Sequence, residues 1–462
     1  MADFIRFDRI SAGAGIRDGL QNMTRPRKTA SVCPVCLKQI PALRMYENGE
    51  WVMRKSCPEH GPFRTVIWRG SEDINRWTGV RPETGAEEGL SCPGCGTEGR
   101  CGKHLQGMCC TVLEVTRRCN LNCRFCFADG GAGETADPPL EAVKRMIDDI
   151  VEKTGGTLLQ LSGGEPTLRD DLPEIVAYAR NAGIDYVQLN TNGIRLAQDF
   201  KYLHDLFHAG LNIVFLQFDG LTDTVYEKLR GRKLLKIKEK AIRMVSEHRI
   251  GVVLVPTLVP GVNTDQIGAL ISYGMSRTPY IKGIHFQPVS WFGRVPEPPA
   301  DEMRYTLGEL IDDIVRQTSG AIPRESLVPS RCDHPLCGLH GDYIARPDGI
   351  IQCLSDRSRK QEGSCCCGPD SGAAEKNREY IGSRWIRSDE WDSFYHEEPE
   401  DPESFEGFLE LKSIHGFTIT SMDFQDAGDL DLERLRQCSL HVYRDGKMIP
   451  FCAAYLNAFP HT

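Results

Sequence analysis

The sequence predicts an α/β protein: a parallel sheet curled into a partial (βα)6 barrel, with a cysteine-rich metal-binding unit before it and a cysteine-containing α+β domain after it. Two observations carry this. Between Thr111 and Pro288, short apolar strands alternate with amphipathic helical segments, the pattern of repeated βαβ units. The 19 cysteines of the 462-residue chain fall mostly outside that alternation, in groups with metal-ligand spacing. The alternating span is too short for a closed eight-unit barrel, which takes about 250 residues, so six units are predicted.

Residues 1–30 have no clear period and read as a loose lead-in, including the short basic run Arg25-Pro26-Arg27-Lys28. Residues 31–90 form a metal knuckle and linker. The knuckle opens with Cys33-Pro-Val-Cys36, closes with Cys57-Pro-Glu-His60, and holds strands from Trp51 and from Phe63 to Trp68. Gly, Glu and Pro over 79–90 mark the linker, and a second cysteine cluster occupies 91–110.

The barrel is assigned to 111–295. Its first strand is Thr111 to Thr116. Pro138 to Lys153 follows as a helix, because Leu140, Val143, Met146, Ile147 and Ile150 share one side. Further strands are predicted at Leu158–Leu161, Tyr186–Asn190, Ile213–Phe218, Gly251–Val255 and Ile284–Pro288. Helices are predicted at Asp171–Asn181, Leu196–Ala209, Leu235–Glu247 and Thr264–Tyr273. One more helix, Leu307 to Gln317, opens the C-terminal domain, 296–462, in which Asp389 to Phe408 is acidic and exposed.

The formal net charge of -9 argues against nucleic acid as the main partner, since neutralising phosphates needs a basic face. No apolar run reaches the length of a membrane span, and the N-terminus lacks a signal-peptide core. A cytoplasmic location follows, where thiols stay reduced and many cysteines mean metal ligation. Peripheral membrane contact stays open, because a lipid substrate can be reached without a spanning helix.

The most informative run is Glu-Val-Thr-Arg-Arg-Cys119-Asn-Leu-Asn-Cys123-Arg-Phe125-Cys126, directly after the first strand. Three thiolates at this spacing can hold three irons of a cubane cluster and leave the fourth open to a ligand. Zinc is the rival reading, but zinc sites close at four ligands and usually pair two Cys-x2-Cys motifs. A disulfide knot would need a secreted chain.

With Ser162-Gly163-Gly164-Glu165 placed after the second strand, the chain resembles a radical SAM enzyme over strand one to Arg294. The resemblance implies that Cys119, Cys123 and Cys126 hold a [4Fe-4S] cluster. Its open iron would chelate S-adenosyl-L-methionine and cleave it to a 5′-deoxyadenosyl radical that takes hydrogen from an unactivated C–H bond. Phe125 matches the aromatic position near the adenine, and Ser162, Gly163, Gly164 and Glu165 match the segment that takes the methionine amino group. Asn190 and Asn192, then Gln217 and Asp219, end strands three and four and resemble the polar groups around ribose and carboxylate. Val255 is placed against the adenine, and His285 to Ser290 toward the substrate. An electron donor such as ferredoxin or flavodoxin is implied as a partner.

More narrowly, Cys33-Pro-Val-Cys36 with Cys57-Pro-Glu-His60, the second cluster and Val255-Pro-Thr-Leu-Val-Pro-Gly-Val-Asn263 are similar to the tetraether lipid synthase and radical pterin methylase group. That group implies a mononuclear iron or zinc and one or two auxiliary [4Fe-4S] clusters. Cys33, Cys36 and Cys57 would take the single ion, with His60 or a cysteine from the second cluster as fourth ligand. Cys92, Cys95, Cys101 and either Cys109 or Cys110 would form one auxiliary site. Cys332, Cys337, Cys353, Cys438 and Cys452 would form another. Cys365, Cys366 and Cys367 are too close together to ligate one centre and read as a loop or a redox pair. The expected reaction is C–C bond formation on a lipid chain. Methylation of a pterin-like small molecule, peptide maturation and a non-catalytic zinc scaffold are the alternatives.

Overall fold

The computed structural model describes residues 26–79, 104, 107–131, 136–296, 299–330, 332–346, 348–357, 373–386, 401 and 404–459. Cys92, Cys95, Cys101 and Cys365 to Cys367, all expected to be metal or redox residues, lie outside the described residues, as does much of the acidic segment.

The N-terminal unit is a four-stranded antiparallel meander: β1 (Arg27–Val32), β2 (Gln39–Glu47), β3 (Glu50–Cys57) and β4 (Gly61–Trp68), in that order. Arg27 and Lys28 therefore begin a strand and do not belong to a loose lead-in. β2 also escaped the sequence reading, because Pro41 interrupts an otherwise clear alternation of buried and exposed residues. A short helix, α1 (Ile74–Thr78), is capped by the Asp73 carboxylate and seats Trp77 in the main core.

The main sheet carries β5 (Cys110–Thr116), β6 (Leu158–Gly163), β7 (Tyr186–Thr191), β8 (Ile213–Gln217), β9 (Gly251–Val255), the two-residue β10 (Thr257–Leu258) and β11 (Ile281–Pro288). Apart from β10, which pairs with β11, these run parallel in sequence order. Helices α2 (Leu140–Thr154), α3 (Leu172–Asn181), α4 (Phe200–His208), α5 (Asp223–Arg230), α6 (Leu235–Glu247) and α7 (Ile267–Met275) connect them. The fold class is the predicted one, and no closed barrel is formed among the described residues. α4 starts later than expected, where the Asp199 side chain caps it, and α5 was missed.

The sheet continues past the boundary expected near residue 295. After α8 (Leu307–Gln317), β12 (Val328–Pro329), β13 (Gly338–Ala345) and β14 (Ile351–Cys353) lie beyond one edge. β15 (Gly416–Met422) pairs parallel with β11, and β16 (Leu440–Arg444) pairs parallel with β5, with β17 (Lys447–Pro450) outside it. The C-terminal third thus adds a parallel strand to each side of the six. Helix α9 (Ala373–Trp385) brings Ile381 and Trp385 against Leu158, Ile213, Phe215 and Val253 on the concave face. Among the described residues no helix is long and apolar enough to cross a membrane.

Candidate active site

The loop after β5 is tied down from several sides. Arg294 donates from Nε to Cys123 O at 3.0 Å and from Nη2 to Gly130 O at 3.1 Å, and its backbone pairs with Cys126. Asn192 Nδ2 donates to Asn120 Oδ1 at 2.7 Å, joining the β7 loop to the same segment. A buried loop without regular structure needs such partners for its polar groups.

Gly163 and Gly164 also hold two loops together. Gly163 has φ +125°, and a Cβ there would lie 2.1 Å from Thr116 O; on Gly164 it would lie 2.2 Å from Arg118 O. Gly164 N donates to Thr116 O, and Glu165 N to Arg118 O, both at 2.8 Å. The glycines therefore let the β6 loop lie directly on the cysteine loop. Glu165 is buried, and its Oε1 accepts from Thr167 N, Thr167 Oγ1 and Thr191 Oγ1. Its Oε2 accepts from Asn192 N at 2.7 Å. The carboxylate thus ties the ends of β6 and β7 together.

These strand ends enclose a cavity of about 290 Å³. Cys119, Cys123, Cys126, Phe125, Ser162, Gly163, Gly164, Glu165, Asn190, Asn192, Gln217 and Val255 all line it. Asp219 does not. Its carboxylate pairs with Arg230 at 2.6 and 2.8 Å and accepts from Thr257 N at 3.1 Å. Arg230, which the sequence reading missed, is the group that reaches the cavity. Burial opposes its charge, and Asp219 more than offsets that. Lys238 is also fully buried, donating to Asn192 O at 2.6 Å and Gln217 Oε1 at 3.2 Å, and burial lowers it to about 8. Both cations sit on helices, where charge ordinarily signals a solvated face.

A single metal ion requires close ligands. A tetrahedral zinc site has S···S near 3.8 Å and S···N near 3.5 Å, from bonds of about 2.3 and 2.0 Å. Cys33 Sγ lies 3.6 Å and Cys57 Sγ 3.5 Å from His60 Nδ1, and Cys36 Sγ lies 4.0 Å from Cys57 Sγ. His60 is therefore the fourth member of this group among the described residues. Among the described residues no other three such ligand atoms gather within 4.8 Å. Cys119, Cys123 and Cys126 do not gather that closely, and a cubane, with one iron per thiolate, does not require it.

The remaining thiols divide. Cys109, Cys110 and Cys332 line the same cavity. Contact with Cys109, and then burial, holds the Cys332 thiol well above its ordinary range. Cys337, Cys438 and Cys452 are near enough to feel one another's charge. Cys353 is not with them: it pairs with Tyr343 on β13, whose other end adjoins Cys337. Strand rise of about 3.3 Å per residue puts roughly 20 Å between Cys337 and that position.

Residues 113–273 match the radical SAM superfamily, and residues 25–69 match an HMPTM N-terminal zinc ribbon domain. This chain carries a radical SAM domain. A [4Fe-4S] cluster and S-adenosyl-L-methionine accompany such a domain, and the convergence of three cysteines and the Gly-Gly-Glu segment on one cavity fits them. A relative from Methanocaldococcus jannaschii, 7,8-dihydro-6-hydroxymethylpterin dimethyltransferase, is 40% identical over 68% of this chain. The match spans 63% of that protein, less than two thirds of its length. A probable GTP 3′,8-cyclase from Methanococcus maripaludis is 26% identical over 52% of this chain and 77% of its own. Fe-coproporphyrin III synthase from Methanosarcina barkeri is 40% identical over 26% of this chain and 30% of its own.

Proposed function

We propose that this radical SAM protein methylates a pterin-like nitrogen heterocycle. The observation that carries this is the convergence of Cys119, Cys123, Cys126 and the Gly-Gly-Glu segment on one cavity, in a chain 40% identical to a pterin dimethyltransferase. The comparisons favour this over C–C coupling on a lipid chain.

In this reading the three cysteines hold the cluster, and Phe125, Ser162 to Glu165, Asn192, Gln217 and Val255 bind the cofactor. Asp219 acts indirectly, holding Arg230 in the wall. When bound, the cluster and cofactor would supply reductive cleavage of one S-adenosylmethionine and hydrogen abstraction, a second S-adenosylmethionine being the methyl source. The protein's own task is to seat the substrate and keep water away. Phe127, Phe292, Phe424 and Phe451 form an apolar wall on that cavity. The ribbon of Cys33, Cys36, Cys57 and His60 holds one zinc or iron ion. Cys109, Cys110, Cys332, Cys337, Cys438 and Cys452 supply auxiliary iron–sulfur ligation, and a ferredoxin- or flavodoxin-type donor supplies electrons.

The test is anaerobic incubation of the reconstituted protein with dithionite, S-adenosylmethionine and 7,8-dihydro-6-hydroxymethylpterin. The expected products are 5′-deoxyadenosine and a pterin heavier by one or more methyl groups, both lost in Cys119→Ala. A fully loaded protein that yields 5′-deoxyadenosine but leaves the pterin unchanged overturns the substrate assignment.

A further inference from the structure

A polar row of Gln160, Gln188 and Asn190 lines the cavity apart from the residues assigned above to the cofactor. Gln160 of β6 stands directly across from Gln188 of β7, and Asn190 of β7 across from Phe215 of β8. Their amides form a chain. Gln188 Nε2 donates to Asn190 Oδ1 at 2.8 Å, and Asn190 Nδ2 donates to Gln160 Oε1 at 3.2 Å. Gln188 Oε1, at the end of the chain, is buried with no partner, in a residue fully shielded from solvent that lines the cavity. A buried amide oxygen left alone is costly, so it marks a place where a ligand N–H belongs.

Flat rings line the same cavity, beginning with Phe215 beside Asn190. Phe215 lies 5.0 Å from Trp385 and 5.5 Å from His285, centroid to centroid, and all three line the cavity. Aromatic walls with a hydrogen-bonding edge select a planar ring that carries its own donors and acceptors. An acyl chain would leave Gln188 unanswered.

We propose that Gln188, held by Asn190 and Gln160 and walled by Phe215, Trp385 and His285, recognises the N–H edge of a planar nitrogen heterocycle. Asn190 is then a substrate-side residue and not a ribose ligand. This rests on the heterocycle-methylation reading but makes a separate claim about which side chains choose the substrate.

The experiment measures anaerobic equilibrium binding of 7,8-dihydro-6-hydroxymethylpterin to the full-length holoprotein, together with 5′-deoxyadenosine formed without substrate. Gln188→Leu is expected to weaken pterin binding about tenfold or more and to leave substrate-free S-adenosylmethionine cleavage unchanged. A pterin methylated on its ring N–H should bind the unaltered protein about tenfold more weakly, which tests the contact without any substitution. Equal binding of both pterins, or of the pterin to both proteins, overturns the subsite and leaves the methylation reading standing. If the unaltered protein does not bind the pterin, guanine and lumazine are the next probes. Binding of either that depends on Gln188 supports the subsite while sinking the pterin assignment, and binding of none overturns both.

Discussion

Arg230 has no solvent to answer its charge, so the answer must come from within the protein. Asp219 provides it with two hydrogen bonds. Asp219→Asn leaves a buried guanidinium without its counter-ion, and breaking such a pair costs about 3–5 kcal/mol. Chemical denaturation should show a loss of that size, and an unchanged unfolding free energy would contradict the pairing. His285 makes a second prediction. Burial lowers it to about 4 from an ordinary 6.5. Between those values the unfolded chain binds the proton first, so the stability due to its neutral ring is present above pH 6.5 and is lost as pH falls toward 4. The slope is about 1.4 kcal/mol per pH unit for one such group. His285→Gln should remove that much slope relative to the unaltered protein. Equal slopes from pH 6 to 4.5 would show that the ring is not kept neutral.

At the scale of elements, the ribbon and helix α8 meet too closely for a side chain. A Cβ on Gly308 would lie 2.0 Å from Arg69 O and 2.8 Å from the Trp68 ring. Gly308→Ala should lower the melting temperature by the equivalent of about 1–3 kcal/mol, the usual penalty for overpacking; no shift would mean that the contact yields freely. Within the ribbon, His60→Ala should remove the bound single ion, read as loss of one zinc or iron per chain with the acid-labile sulfide unchanged. Full retention of that ion would exclude His60 as a ligand. The ribbon cysteines were legible from spacing, because Cys-x2-Cys and Cys-x2-His place ligands within one turn. The imidazole's place beside them was left open, since choosing among several fourth ligands needs three-dimensional distances. The alternating strands and helices were legible too: strands buried on both faces are apolar throughout, and their helices are amphipathic. Arg230 and Lys238 were not, because a charged residue on a helix looks the same in sequence whether it faces water or a cavity.

The whole molecule is less divisible than its sequence suggests. Periodicity locates a strand but does not choose its neighbours, so nothing in Gly416–Met422 or Leu440–Arg444 announced that they would flank the six central strands. A chain ending at Arg294 would bare the edges of β5 and β11, which now pair with β16 and β15. Exposed edges of that kind seed aggregation. Such a truncation should be insoluble when expressed, and a soluble, monomeric product would show that the terminal third is dispensable for folding. The concave face shows the same dependence, since Trp385 and Ile381 of α9 fill space between strands laid down far earlier in the chain.

The ribbon closes on a segment about 400 residues further along the chain. Thr29 Oγ1 donates to Asp431 Oδ1 at 2.6 Å, Ser31 Oγ to Leu430 O at 2.5 Å, and Lys55 Nζ to Ala427 O at 2.7 Å. Arg44 pairs with Asp431 at 2.9 Å and also with Glu433. During synthesis, the ribbon strands must wait for residues about 400 positions further along before they can dock. Cys33, Cys36, Cys57 and His60 are all translated within that wait, so the ribbon can take its ion as a small independent nucleus. The cavity, which draws on Cys332, Ser439 and Phe451, is completed only after those residues have been made.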